Sequence, residues 1–132
     1  MSDLIEQEWP KDFTGWQPVT FTKKTVKRKL IGAWLCLNFT GVNGESASWD
    51  GNLFTSELTD GRKIANRITM GALADFFRAC GLDDANMPEK SIDGIDKALT
   101  AFENEVTVSG RIGKDEKGYN RVNQFKKVQA AA

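Results

Sequence analysis

The chain has 132 residues, 40% of them hydrophobic and 27% charged, with 18 basic side chains, 18 acidic side chains and no histidine. This length suits one domain whose core needs neither disulfides nor metals. Without histidine, the chain lacks the commonest general base and metal ligand, so we expect no enzymatic activity. The two cysteines lack zinc-site spacing and no phosphate-binding glycine loop is present, so we expect no metal and no cofactor.

No apolar run reaches the roughly 20 residues that a membrane-spanning helix needs. The first eight residues carry three acidic side chains, whereas a secretory signal begins with basic ones. These features predict a cytoplasmic protein with no membrane partner. Cys36 and Cys80 each lie in an apolar pattern and are expected to be buried free thiols.

The net charge of zero hides an uneven distribution along the chain. Residues 16–44 contain five cations and no anions, residues 81–105 contain seven anions and two cations, and residues 106–132 contain six cations and two anions. This segregation predicts a basic face formed by the first and last strands and an acidic helical region.

The N-terminal half has the pattern of β-strands. After an acidic arm over residues 1–15, the segment from Val19 to Ile31 is rich in Thr, Val and Lys, which predicts a long exposed strand or strand pair. From Ala33 to Thr40 apolar and polar residues alternate, so the odd positions should face the core. Residues 41–44 form a predicted turn.

Residues 52–69 have the pattern of a second hairpin. Asn52 to Thr59 and Arg62 to Thr69 would pair around Asp60-Gly61, because an Asp-Gly pair accepts the positive φ of a tight turn. In the second of these strands, two isoleucines would face the core while two cations face outward. The predicted barrel core consists of Leu35, Leu37, Phe39, Ile64, Ile68, Val106 and Val108.

Two amphipathic helices are predicted to follow. Thr69 would cap the first helix and Gly81 would end it in the left-handed conformation. Ser91 would cap the second, after an acidic loop from Leu82 to Lys90. The apolar face of the first contains Leu73, Phe76, Phe77 and Cys80, and that of the second contains Ile92, Ile95, Leu99 and Phe102.

The last predicted unit is a hairpin from Val106 to Phe125, with a lysine-bearing turn bounded by Gly113 and Gly118. Together these elements predict an antiparallel α+β fold: an OB-like β-barrel of five or six strands, with two helices inserted before the C-terminal hairpin. The domain would span residues 16–128, followed by a frayed tail over residues 129–132.

A sheet face that carries cations and aromatic rings suits single-stranded nucleic acid, because cations meet phosphates and rings stack on bases. The same pattern also describes the solvated side of an ordinary hairpin, and aromatic residues there could instead cover a second small core. The nucleic-acid-binding residues predicted on this basis are Lys24, Arg28, Trp34, Lys63, Arg67, Arg111, Lys114, Lys117, Tyr119 and Arg121.

Several short motifs occur in a distinctive order: Gly15-Trp16-Gln17-Pro18, Asp60-Gly61-Arg62-Lys63, Arg78-Ala79-Cys80-Gly81-Leu82 and the segment from Lys114 to Val122. In this order the chain resembles a phage-encoded family of OB-fold single-stranded-DNA-binding proteins associated with recombination genes. The resemblance implies sequence-independent binding of single-stranded DNA, without a cofactor, in phage replication or recombination within a bacterial host cell. It also implies recombination or replication proteins as further partners.

The sequence leaves other possibilities open. A protein-interaction or inhibitor module could instead use the acidic surface around Asp83, Asp84 and Glu89 to bind a basic partner. The oligomeric state, including a homo-oligomer, is not determined by the sequence, and neither is a preference for DNA over RNA.

Overall fold

The computed structural model describes residues 12–128, so the predicted tail and most of the predicted acidic arm lie outside the described residues. A short 3-10 turn, Asp84–Asn86, lies between two helices. The strands are Gly15–Lys29 (β1), Gly32–Gly41 (β2), Ser46–Phe54 (β3), Thr107–Lys114 (β4) and Asn120–Lys126 (β5), and the helices are Asp60–Ala79 (α1) and Ile92–Phe102 (α2).

The five strands close into a barrel in the order β1-β2-β3-β5-β4. Four of the five neighbouring pairs are antiparallel, whereas β3 and β5 run parallel and meet at the single pair Ser48 and Arg121. The predicted antiparallel barrel is therefore only partly right, because its wall is mixed. A closed ring with an odd number of strands cannot alternate direction throughout, so one parallel pair is the minimum. The architecture is consistent with an OB-like α+β fold, and both helices precede the C-terminal hairpin as predicted.

Strand β1 changes its inward side at a bulge. Val19 and Phe21 face the barrel interior, and the register with β2 shifts between Phe21 and Lys23. Beyond the bulge the even positions lie on the inner side, where Val26 is paired with the buried Leu35. The segment 23–29 is thus a strand, and the bulge decides which of its cations face outward.

Phe76 of α1 is the centre of the core. Its fully buried ring lies 5.2 Å from that of Phe21, 5.8 Å from that of Phe39 and 5.3 Å from that of Phe125, so one helical side chain joins three strands. Burial of Leu35, Leu37, Phe39 and Val108 is confirmed, and Val106 is partly buried against the same core. The predicted packing of Leu73, Phe76 and Phe77 on the barrel is also confirmed.

The predicted hairpin over residues 52–69 is wrong, because most of it belongs to α1. Thr59 is the N-cap and accepts a hydrogen bond from the amide of Arg62, while Asp60 lies in the first turn, where a carboxylate is favourable. Ile64 and Ile68 are 53% and 69% exposed on the solvent side of the helix. They are therefore not core residues.

Polar residues attach α1 to the end of β3. The Asn66 side chain accepts from the amide of Phe54 and donates to its carbonyl, and the hydroxyl of Thr69 donates to the carbonyl of Asn52. Thr69 lies in the middle of α1, where its side chain is buried, and does not cap the helix. These bonds replace the strand partner that β3 lacks at this end.

The helix ends follow the predictions at two positions, Gly81 and Ser91. Gly81, with φ of +105°, follows the C-cap of α1, and the amide of Leu82 donates to the carbonyl of Phe77. Ser91 caps α2 by accepting from the amide of Gly94.

Within residues 12–128, no helix combines the length and the apolarity that crossing a membrane requires.

Candidate nucleic-acid interface

The outward side of β2, β3 and β5, continued by the adjoining half of β1, carries the largest set of polar and aromatic side chains that converge. Strand pairing places each member beside the next around the barrel wall. We call this surface the β2–β3–β5 face, and its residues are Lys23, Lys27, Trp34, Asn38, Ser48, Asp50, Asn52 and Arg121.

Asp50 links the two largest side chains of this face. The indole Nε1 of Trp34 donates to Asp50 Oδ2 at 3.1 Å, and Arg121 Nη1 lies 3.7 Å from Asp50 Oδ1. Arg121 Nη1 also donates to the hydroxyl of Ser48 at 2.8 Å. The indole and the guanidinium are therefore held on either side of one carboxylate.

Asp115 fixes Arg121 from the hairpin loop. Its Oδ1 accepts from the amides of Lys117 and Tyr119, and its Oδ2 accepts from Arg121 Nε at 3.0 Å. Partial burial opposes ionisation of Asp115, but the bonds from Tyr119, Arg121 and Lys117 outweigh it and hold the pKa of this carboxyl below its usual value. The ionised carboxylate of Asp115 thus both stabilises the loop conformation and orients the guanidinium of Arg121.

Two connections lie at opposite ends of the β2–β3–β5 face. The β1–β2 turn presents Leu30, which is 98% exposed, beside the β2 end that carries Trp34. The β4–β5 loop ends at Asn120, whose side-chain amide donates to the carbonyl of Ser46. This loop presents Tyr119, which is 64% exposed. Lys114 and Lys117 are exposed at the base and in the middle of this loop.

Lys24 and Arg28 do not join this face. They lie on the opposite side of β1, where Lys24 forms an ion pair with Asp96 and Arg28 forms one with Asp93. Arg28 also lies 4.0 Å from Asp96. These cations join β1 to α2, because beyond the bulge the even positions of β1 lie on the inner side of the strand.

Lys63 and Arg67 also lie elsewhere, exposed on α1 rather than on a strand. Arg111 is exposed on the outer side of β4, paired with Trp16 of β1 and Gln124 of β5. Trp16 also contacts a cation of β5: the ammonium group of Lys126 lies 4.1 Å from the centroid of the Trp16 ring. Of the ten predicted binding residues, the β2–β3–β5 face and its adjoining loop contain Trp34, Lys114, Lys117, Tyr119 and Arg121.

A cleft of about 340 Å³ opens between β3 and β5, where the two strands share only one paired position. A barrel wall with continuous pairing would have no such opening. The residues that line it are Ser48, Trp49, Asp50, Asp115, Arg121, Val122 and Asn123. Residues that carry two carboxylates, a guanidinium, a hydroxyl and an amide therefore line one small volume.

Both cysteines are free thiols, as predicted, but only Cys36 is buried, whereas Cys80 is partly exposed. Burial raises the pKa of Cys80 to about 12. Burial also raises the pKa of Cys36, helped by the negative charge of Asp50 and opposed by the positive charge of Arg121. Since the thiolate is the reactive form, both groups are poor nucleophiles at neutral pH.

Sequence reasoning missed Lys23, Lys27, Trp49 and Asp50 as members of the site. A signal for the two lysines was present: Val26 is the one apolar residue between Thr22 and Leu30, so its inward position would have assigned the odd positions to the outside. No local pattern could have identified Asp50, because its partners come from β2 and β5.

No protein-family model matches this chain, and no curated protein matches it. Within the described part of the chain, no group of three or more His, Cys, Asp or Glu side chains is arranged to hold a metal ion. The geometry of the β2–β3–β5 face is therefore the main guide to the function of this protein.

Proposed function

We propose that this protein binds single-stranded DNA along the β2–β3–β5 face, in phage replication or recombination, without a cofactor. The observation that carries the proposal is the alignment of Trp34, Arg121 and the exposed Tyr119 loop along one outward side of a closed OB-like barrel. In OB folds the outer side of strands 2 and 3, together with the loops between strands 1 and 2 and between strands 4 and 5, binds oligonucleotides.

The cations of this face suit a backbone that passes along its edges. Lys23, Lys27 and Lys117 are exposed, and within residues 12–128 none of them forms an ion pair with an acidic side chain. Cations free of intramolecular partners release counterions from DNA when they approach phosphates. The centre of the face is different, because Arg121 is already neutralised by Asp50 and Asp115.

The aromatic rings favour single strands over duplex. A base can stack on the face of an indole or phenol only when it is free of its complementary strand. Trp34 lies at one end of the face and Tyr119 at the other. Bases would therefore lie over the neutral centre while phosphates follow the lysines at its margins.

Titration with a labelled homothymidine oligonucleotide at several salt concentrations tests this function. We expect binding that weakens steeply with salt, and substitution of Lys27 or Lys117 by Ala should each lower the slope of log K against log salt by about one. Lys97→Ala, an exposed cation on α2, is the matched control and should leave the slope unchanged. Absence of binding at low salt would reject the proposal.

A protein-interaction module is the second candidate, favoured by an apolar cleft of about 280 Å³ between α1 and the loop that precedes α2. Leu73, Phe77 and Met87 line this cleft. Two acidic residues, Asp84 and Glu89, and two basic ones, Arg78 and Lys90, also line it, and Arg78 is paired with Asp84. A peptide with an apolar anchor and a charged flank would suit it. If the parent protein binds no oligonucleotide, this cleft becomes the surface to test.

A further inference from the structure

The cleft between β3 and β5 contains hydrogen-bonding groups that the fold leaves partly unused. Arg121 uses Nε for Asp115 and Nη1 for Ser48, whereas Nη2 has no hydrogen-bond partner within residues 12–128. Asp50 accepts one hydrogen bond, from Trp34, and its side chain is 44% exposed. A carboxylate has about four acceptor positions, so Asp50 retains acceptor capacity toward the cleft.

Asp115 has less unused hydrogen-bonding capacity than Asp50. Both of its oxygens accept hydrogen bonds from the β4–β5 hairpin, and its side chain is 26% exposed. Asp115 thus acts as a positioning residue for Arg121. The groups that remain available to a ligand are one guanidinium nitrogen, which donates, and one carboxylate beside it, which accepts.

We propose that this cleft is a nucleobase site that selects guanine within a bound single strand, an inference that rests on the proposed function. The Watson–Crick edge of guanine presents one acceptor, O6, followed by two donors, N1–H and the exocyclic amino group. Arg121 Nη2 donates to O6, and Asp50 accepts from both donors. Trp49 also lines this cleft, from the core-facing side of β3.

The other bases match the available groups less well. Thymine presents two carbonyls on either side of a single donor, so one carbonyl would meet the Asp50 carboxylate. Cytosine presents two acceptors, but Nε and Nη1 of Arg121 already serve Asp115 and Ser48. Adenine presents an acceptor, N1, beside one donor, the N6 amino group, so it can make one contact to Asp50 where guanine makes two. A phosphate is disfavoured because two carboxylates already surround the one guanidinium.

The test compares three oligonucleotides of equal length: all thymidine, thymidine with one central deoxyguanosine, and thymidine with one central deoxyinosine. Inosine keeps O6 and N1–H but lacks the exocyclic amino group. A single guanine avoids four-stranded structures. For the parent protein we expect about tenfold tighter binding of the guanine oligonucleotide than of the all-thymidine one, with inosine between them.

Asp50→Asn identifies the residue responsible. The asparagine oxygen can still accept from Trp34, so the face should remain intact, but its amide group would meet the donors of guanine. We expect the guanine preference to disappear, so that Asp50→Asn binds the guanine oligonucleotide no more tightly than the all-thymidine one. Asp93→Asn, which also changes an exposed carboxylate paired with an arginine, is the control and should keep the preference.

The outcomes separate this inference from the proposed function. Equal binding of the three oligonucleotides by the parent would overturn the guanine site and leave single-strand binding in place. Retention of the preference in Asp50→Asn would overturn the assignment of Asp50. Failure of the parent to bind any of the three oligonucleotides would overturn both proposals.

Discussion

Two clusters in this protein pair arginine or lysine with aspartate, and they differ in what surrounds them. In the first, which we call the α2 cluster, Lys24 and Arg28 of β1 meet Asp93 and Asp96 of α2. In the second, the cleft cluster, Arg121 lies between Asp50 and Asp115.

The α2 cluster joins a helix to a strand, and its outer pair, Arg28 and Asp93, is 52% and 86% exposed beside an opening of about 420 Å³. The cleft cluster lies between two strands and borders an opening of about 340 Å³. In the α2 cluster, Lys24 and Asp96 are 22% and 28% exposed, so the pair is largely covered. In the cleft cluster the guanidinium retains an unused nitrogen that faces no protein acceptor among residues 12–128. The comparison teaches that neither ion pairing nor an adjacent opening separates the two clusters. They differ in that the cleft cluster is hydrogen-bonded to Trp34 and to the amide of Tyr119, whereas the α2 cluster joins β1 to α2.

The largest expected effect is on Arg121→Ala. Removing the guanidinium leaves Asp50 and Asp115 without their cation in the centre of the β2–β3–β5 face, and both would repel DNA. We expect affinity for the guanine-containing oligonucleotide to fall about 10- to 100-fold, which corresponds to roughly 1–3 kcal/mol. The measurement is fluorescence anisotropy at fixed salt.

Arg28→Ala sharpens this comparison as the matched variant from the α2 cluster. It removes the same side chain from the same kind of pair, but on the other side of β1, so oligonucleotide affinity should not change. An equal loss of affinity in both arginine variants would mean that the two clusters serve one surface, contrary to the distinction drawn here.

An effect of similar size is expected for Trp34→Ala, which removes a stacking ring but no charge. The loss should be roughly 1–3 kcal/mol if one base stacks on the indole, with little change in the salt slope. Trp16→Ala is the control, since its ring lies on the outer wall formed with β4 and is covered by Lys126. Intrinsic fluorescence quenching by oligonucleotide in the parent and its loss in Trp34→Ala would identify the ring. Equal affinity of the parent and Trp34→Ala would remove stacking at this position.

The sequence predicted the elements whose pattern is local and periodic. Alternation from Ala33 to Phe39 identified β2 and its buried face, and the turn residues of the C-terminal hairpin identified β4 and β5. These predictions succeeded because a period of two is a direct consequence of strand geometry.

Prediction from the sequence failed where one residue pattern is compatible with two structures. Asp60-Gly61 suits a tight turn and equally suits the first turn of a helix behind Thr59, and the buried side of α1 includes the polar Asn66 and Thr69. The apolar periodicity that would reveal a helix was therefore hidden. The first half of β3 was also missed, because Ser46 to Gly51 contains no β-branched residue.

The site was predicted only in part, for a related reason. Trp34, Tyr119 and Arg121 follow from strand parity, but one bulge in β1 exchanged Lys24 and Arg28 for Lys23 and Lys27. The cleft itself arises from the parallel contact of β3 and β5, which is a property of barrel closure and not of either strand.

Lys24→Ala tests the structural role of the α2 cluster. A pair of this exposure contributes less than about 1 kcal/mol, so the free energy of unfolding should fall by a few tenths to about 1 kcal/mol. Denaturation with urea measures this loss, while oligonucleotide binding measured in parallel should stay at the parent value. A change in affinity without a change in stability would reverse the role assigned to Lys24.

The smallest expected effect concerns acid stability in the cleft cluster. Because hydrogen bonds from Tyr119, Arg121 and Lys117 hold the pKa of Asp115 below its unfolded value of 3.8, the folded state binds a proton less readily than the unfolded chain does. The contribution of Asp115 to stability is therefore fully present above about pH 4 and is lost as the pH falls through the folded pKa.

Asp115→Asn isolates that contribution. The amide oxygen can still accept from the hairpin amides, but it carries no proton-linked charge, so the variant should lose less stability than the parent between about pH 4 and pH 2. Urea unfolding curves at a series of pH values measure the difference. If the stabilities of parent and variant fall in parallel over that range, Asp115 does not stabilise the loop through its charge, and the orientation of Arg121 must depend on Ser48 and Asp50 alone.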